Sequence, residues 1–223
     1  MTDKMLNQIL TNINQLVYKN EDYAIRSIDS NIDIVNINDK ECIDQNSYEF
    51  YDFILIKNHD IKSTLKYVGI ILDMITDLHF YILPNFRGKG YLQASLNTSI
   101  LPFLSFYDED RKVQRLSFKE SQIKEYFINQ FGFKSIGGYE AEKNLASDDV
   151  KLYDCANEKK MKLSNELKNE MMKNLIDALL KIKMIRRQLD YAKGDTCDCE
   201  KLYLNEVFCE LKDHIFDDKK VKE

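Results

Sequence analysis

Two glycines and two cations fall within four residues at Arg87-Gly88-Lys89-Gly90, and Pro84, one of only 2 prolines in the chain, stands just ahead of them. Small residues let a backbone approach a ligand closely. A helix that starts there presents its positive end and several unpaired N–H groups to an anion. The chemistry that this spacing permits is phosphate or diphosphate binding, and the same residues also suit a tight strand-to-helix turn. Two familiar phosphate loops do not fit. A Walker loop needs Gly-Lys followed by Ser or Thr, and a dinucleotide fingerprint needs a third glycine beyond Gly90, whereas Tyr91, Leu92 and Gln93 follow it here.

Upstream, Asp77 and His79 are two residues apart and share one face if the segment is extended. A carboxylate and an imidazole are both suited to accept a proton, and equally to serve as a turn residue and a packed strand histidine. Near the C-terminal end, Cys197, Cys199, Cys209 and His214 offer four metal-ligand types. Zinc would require all of them to converge tetrahedrally, and paired ligands ordinarily come as Cys-x-x-Cys. No metal is expected, and these cysteines read as free thiols.

The elements that must position these groups follow from periodicity. Met5, Leu6, Ile9, Leu10, Ile13, Leu16 and Val17 recur at helical spacing, with Asp3 as a cap, and predict an N-terminal amphipathic helix. Tyr23 to Ile28, Ile32 to Ile37, Phe50 to Lys57, Leu65 to Leu72 and Met74 to Leu83 read as strands. The last of these places Leu78, Phe80 and Ile82 on one face and Asp77, His79, Tyr81 and Leu83 on the other. Gly90 opens a helix that Pro102 is expected to end or kink. A strand at Val113 to Phe118, a helix at Ser121 to Phe131 and closing strands at Phe133 to Gly137 and Val150 to Cys155 complete an α/β pattern, a mixed sheet flanked by helices. Beyond it, a stripe from Leu163 to Leu189 and a second helix from Glu200 to Phe216 predict a helical hairpin joined by Lys193 to Cys199. The expected division is 1–155 and 156–223.

The run Phe80-Tyr81-Ile82-Leu83-Pro84-Asn85-Phe86-Arg87-Gly88-Lys89-Gly90-Tyr91-Leu92 resembles the coenzyme A segment of the GNAT N-acetyltransferase family. In that family an apolar strand, often ending in Pro, precedes Arg/Gln-x-x-Gly-x-Gly/Ala at a helix start. Arg87 and Gly90 match, and Leu92 stands where the family has Gly or Ala. Ile128-Asn129-Gln130-Phe131-Gly132-Phe133 is similar to a second family segment, aromatic-x-x-x-Gly-Phe, with Ile128 in the aromatic position. The resemblance covers about Leu65 to Cys155. It implies a GNAT-like acyl-CoA-binding fold and an acetyl-CoA-dependent transfer of an acetyl group to an amine, without a covalent enzyme intermediate. It further implies that Ile82 and Leu83 offer backbone groups to the pantetheine arm, that Arg87, Gly88, Lys89, Gly90, Tyr91 and Leu92 face the pyrophosphate, and that Ser121 meets the cofactor or caps its helix. Asp77 or His79 would be the base. Tyr126, two residues before Ile128, falls on about the opposite helix face and is a poor substitute for the family's acid. The alternative that Ile128 motivates is a catalytically inactive acyl-CoA-binding regulatory protein.

Bulk composition fits a folded chain of this kind. Of 223 residues, 44% are hydrophobic and 31% charged, the balance of a globular protein. With 32 Lys and Arg against 37 Asp and Glu, a net charge of -5 gives no general field to attract nucleic acid. The N-terminal segment has no signal-peptide pattern and no apolar run reaches spanning length, so the expected compartment is the cytoplasm, with no membrane partner and reduced thiols. The expected partners are a small-molecule or peptide amine and, through the C-terminal helices, a second copy or another protein.

Overall fold

The computed structural model describes residues 2–18, 23–37, 52–108, 110–146, 150, 153, 164–193 and 199–216, with backbone only at 189–193 and 199–205. Two compact units are present, Met1–Lys160 and Met161–Glu223. The first contains, in order, α1 (Asp3–Asn14), β1 (Tyr23–Ser27), β2 (Ile32–Ile37), β3 (Asp52–Lys57), β4 (Tyr67–Asp73), β5 (Leu78–Ile82), α2 (Tyr91–Ser95), α3 (Leu101–Tyr107), β6 (Val113–Ser117), α4 (Ser121–Phe131), β7 (Lys134–Gly137) and β8 (Glu140–Asn144). The α/β class expected from the sequence is what forms, but the single mixed sheet is corrected to two separate sheets in which every described pairing is antiparallel.

β1 to β5 make a five-stranded sheet in sequence order, every neighbouring pair antiparallel. β6, β8 and β7 make a separate three-stranded antiparallel sheet in that order. The larger sheet is covered on both faces, which explains why β3 reads as the unbroken apolar run Phe53-Ile54-Leu55-Ile56 instead of alternating. Phe53 and Leu55 join one core with Leu6, Ile9, Leu10 and Ile13 of α1. Ile54 and Ile56 join the other, with Leu101 and Leu104 of α3 and Phe127 and Phe131 of α4. Each fully buried aliphatic side chain of α1 contributes about 1.5–3 kcal/mol, enough to hold a helix of this length against the sheet.

Three local expectations are corrected. Thr2, not Asp3, caps α1, accepting the Met5 N–H at 3.3 Å; Asp3 is thereby released for another contact. Pro102 does not end its helix. A π turn at Leu96–Ile100 joins α2 to α3, with the Leu101 N–H donating to Leu96 five residues back. This widened turn lies directly ahead of Pro102, where the ring would crowd the preceding carbonyls and one donor is missing. β8 has no counterpart among the expected strands, because Glu140-Ala141-Glu142-Lys143-Asn144 offers one apolar residue. Its inward positions are Ala141 and Lys143, and the buried Lys143 Nζ donates to the Phe131 carbonyl at 2.6 Å. Most of the strand expected at Val150 to Cys155 lies outside the described residues.

In the second unit α5 (Asn165–Lys193) and α6 (Cys199–Phe216) contact one another. The expected stripe on α5 is only partly covered, since Met171, Ile182 and Ile185 are exposed. The joining segment, with Gly194 and Cys197, lies outside the described residues. Among the described residues no helix is long and apolar enough to cross a membrane, and no cluster of metal-ligand side chains occurs.

One buried polar knot ties the larger sheet together. Asp33 on β2 accepts from the Tyr67 hydroxyl of β4 at 2.5 Å and pairs with Lys57 Nζ of β3 at 2.6 Å. Burial, followed by the bond to Asp33, pushes the Tyr67 phenol strongly upward, so it stays a donor at all physiological pH. Tyr67→Phe is expected to cost about 1–3 kcal/mol by leaving a buried carboxylate oxygen short of its donor. Urea unfolding at neutral pH measures this.

Candidate functional site

β5 and β6 are the facing edges of two sheets with no ladder between them. In an antiparallel pair, successive residues turn their N–H and C=O groups alternately toward and away from the partner strand. The Leu83 N–H donates to Val68 on β4 at 2.9 Å, so the groups of Tyr81 and His79 also face β4, while those of Phe80 and Ile82 face the open edge. This shifts one expected position. Leu83 packs in the α1-side core and its amide is used within the sheet, which leaves Phe80 and Ile82 as the edge residues. The Ile82 carbonyl accepts from Arg87 Nε at 2.9 Å.

The two sheets are tethered at the β4–β5 turn. Arg111, two residues ahead of β6, holds Asp73 through two hydrogen bonds of 2.7 and 2.9 Å. Asp77 Oδ1 accepts from its neighbour Leu78 N–H at 2.8 Å and from Ser117 N–H at 3.3 Å. Asp77 thus sits in the turn ahead of β5 and serves as a clamp across the gap. Beyond these tethers the edges bound a cavity of about 870 Å³. Phe80, Ile82, Leu116, Phe118 and Phe127 form apolar walls. Asp3, Asp77, His79, Arg87, Ser117 and Lys119 supply polar groups.

At one end of the cavity is the glycine loop. Pro84–Phe86 form a 3₁₀ turn, Gly88 has φ 69° and Gly90 has φ 81° as the residue preceding α2. Both lie in the left-handed region that glycine tolerates. A Cβ on either would meet nothing within 4 Å, so the space before them is open. The first intrahelical bond runs from Ala94 N–H to Gly90, no side chain caps the helix, and the N–H groups of Tyr91, Leu92 and Gln93 have no intrahelical acceptor. The helix start is anchored from outside by the Tyr91 hydroxyl, which donates to Asn58 Oδ1 at 2.9 Å, and the Tyr91 ring stacks with His59 and meets Phe86 edge-to-face. Gly88, Gly90, Tyr91, Leu92 and Arg87 line the cavity; Lys89 lies over the Phe86 ring outside the lining.

Ser121 is neither a cap nor part of the lining, since Glu120 occupies the cap position and Ser121 is exposed. On α4 the cavity face is Ile123, Tyr126 and Phe127, at i, i+3 and i+4. Tyr126 therefore faces the cavity, contrary to expectation, and is 45% exposed. Ile128 points away and packs on the core.

The residue that sequence reasoning missed is Asp3. Its Oδ1 is 2.8 Å from His79 Nε2, and both line the cavity. No local pattern could find this pair, because 76 positions separate the partners. The nearest signal is an aspartate in a first helical turn that leaves capping to Thr2. The Asp3 carboxyl is held below its ordinary value chiefly by the hydrogen bond from His79, opposed by desolvation and assisted by Lys119, the His79 charge and Arg87. A depressed carboxyl contributes stability above the unfolded value of about 4 and loses it as pH falls through the folded value. Asp3→Asn is therefore expected to lower stability at neutral pH by no more than about 1 kcal/mol, as befits a pair this open to solvent. The gap from wild type should close as the pH drops below about 4, which thermal melts across pH check.

Comparison of the chain with family models, with curated proteins and with solved structures returns no match.

Proposed function

We propose that the protein is an acyltransferase of GNAT type that uses acetyl-CoA to acetylate an amine. The observation that carries this reading is the unladdered gap between β5 and β6, which opens at one end onto the uncapped start of α2. An acyl-pantetheine arm is a slender chain with amide groups. It suits a slot walled by Phe80, Ile82, Leu116 and Phe118 and edged by the backbone groups of Phe80 and the N–H of Ile82, the Ile82 carbonyl being taken by Arg87. A diphosphate suits the N–H groups of Gly88 to Leu92, the positive end of the helix and Arg87. The two binding elements are contiguous in one cavity.

Direct transfer needs a group to accept a proton from the amine and a proton source for the departing thiolate. Asp77 and His79 line the cavity from the start of β5, and Tyr126 is the hydroxyl-bearing residue of α4 in the lining. A non-catalytic acyl-CoA-binding protein is the second reading. It is favoured by Ile128, whose side chain packs in the core at the position where the family's acid stands.

Acetyl-CoA at a hundredfold excess over its dissociation constant should stabilise the protein by about 2.7 kcal/mol, read as a rise in melting temperature. Gly90→Val should remove the shift, since a β-branched residue is strained at φ 81° and its Cβ would stand in the open space where the diphosphate approaches; circular dichroism of the variant checks that the rest of the fold persists. An unchanged shift in this variant would contradict the cradle. Free-thiol release across alkylamines, polyamines, aminoglycosides and lysine peptides separates the catalytic reading from the binding one.

A further inference from the structure

We infer that Asp3 and His79 act as a proton-accepting pair, in which His79 takes the proton of the acceptor amine and Asp3 positions it. The inference rests on the acyltransferase reading and assigns the base within it.

Asp77 and His79 are the two residues on β5 and its leading turn with suitable chemistry, and their surroundings differ. Asp77 is engaged in holding the two sheets together through the N–H groups of Leu78 and Ser117. Changing its charge or position would disturb the gap itself. His79 makes a single bond, to Asp3, and among the described residues its Nδ1 has no partner. A carboxylate accepting at Nε2 fixes the proton on that nitrogen and leaves Nδ1 as the basic one. The charged groups around the pair are Asp77 from the turn, Arg87 from the glycine loop and Lys119 from the β6–α4 connection, all in the lining of the same cavity. The pair is placed by tertiary structure. α1 is fixed on the sheet by its buried stripe, Thr2 takes over capping, and Asp3 in the first turn is brought to β5.

The step balances as follows. His79 Nδ1 accepts one proton from the ammonium of the acceptor, freeing the nitrogen lone pair. The C–N bond forms to the acyl carbon while the C–S bond breaks and its electron pair leaves on sulfur. The sulfur takes the second proton of the amine, for which Tyr126 or water is the relay, and His79 returns its proton to water. The products are the N-acyl amine, the free thiol and one solvent proton.

The test uses the full chain and its Asp3→Asn, Asp3→Glu, Asp3→Ala and His79→Gln variants, with acetyl-CoA and with n-butylamine, spermidine, kanamycin and a lysine tripeptide as acceptors. Calorimetry with acetyl-CoA comes first. All variants should bind it within about threefold of wild type, and failure of the wild type to bind overturns the coenzyme A reading and this inference with it. In thiol release, His79→Gln should lose about 10²-fold or more in kcat, the size of a general-base contribution, with KM for acetyl-CoA little changed. Asp3→Ala should lose an intermediate amount, and Asp3→Glu should recover part of it. Nitrogen-15 spectra of the imidazole should show a single Nε2–H tautomer for His79 in the wild type and a mixture in Asp3→Ala. Acetyl-CoA binding with turnover no faster in the wild type than in His79→Gln, or a full rate in Asp3→Ala, overturns the inference while leaving coenzyme binding standing.

Discussion

The organising constraint of this protein is a β-ladder that is not made. β5 ends one sheet and β6 begins another, and the backbone groups of Phe80 and Ile82 are left facing a gap. Exposed edges are normally paired, covered or blunted, because bare N–H and C=O groups are costly when water is excluded and adhesive when it is not. Here the edge is kept apart by construction. Arg111 on Asp73 and Ser117 on Asp77 fasten the sheets at the β4–β5 turn, and a shared core of α3, α4 and residues from both sheets holds the remainder. The gap is thus a fixed feature of the packing, available to a ligand that brings its own hydrogen-bonding groups.

The cavity divides its work along its length. At the glycine end, conformation is the determinant. Two left-handed residues turn the chain so that a helix begins without a side-chain cap, and Asn58 holds Tyr91 from behind. Elsewhere in the lining, carboxylate, imidazole and hydroxyl groups are supplied by α1, β5 and α4. The apolar walls lower the local dielectric and strengthen the polar contacts of the cavity.

Much of the larger sheet is legible from the chain itself. Strands β1 to β4 carry Ile, Val, Tyr and Phe at the density that marks them, and the alternation Leu78-Phe80-Ile82 against Tyr81-Leu83 sorts into the two cores as the pattern requires. β8 was invisible because its buried positions are an alanine and a lysine. Pro102 does not stop its helix, because the π turn ahead of it absorbs what a regular α-helix could not. At the site, the glycine loop was readable because its information is local. Asp3 is not, since its contact with His79 depends on where α1 docks; Tyr126 is not either, because α4 turns its i, i+3, i+4 face to the cavity and packs the half-buried Ile128 against the core.

The central claim is that the gap between β5 and β6 and the start of α2 form one site for an acyl-CoA. Backbone amide spectra of the isotopically labelled protein, titrated with acetyl-CoA, test it most directly. The account predicts that resonances of Gly88 to Gln93 and of Phe80 and Ile82 shift together with a single saturation curve, while those of Tyr67 and the α5 helix stay in place. Shifts confined to the second unit, or no shift in either the loop or the β5 edge at saturating acetyl-CoA, would contradict it.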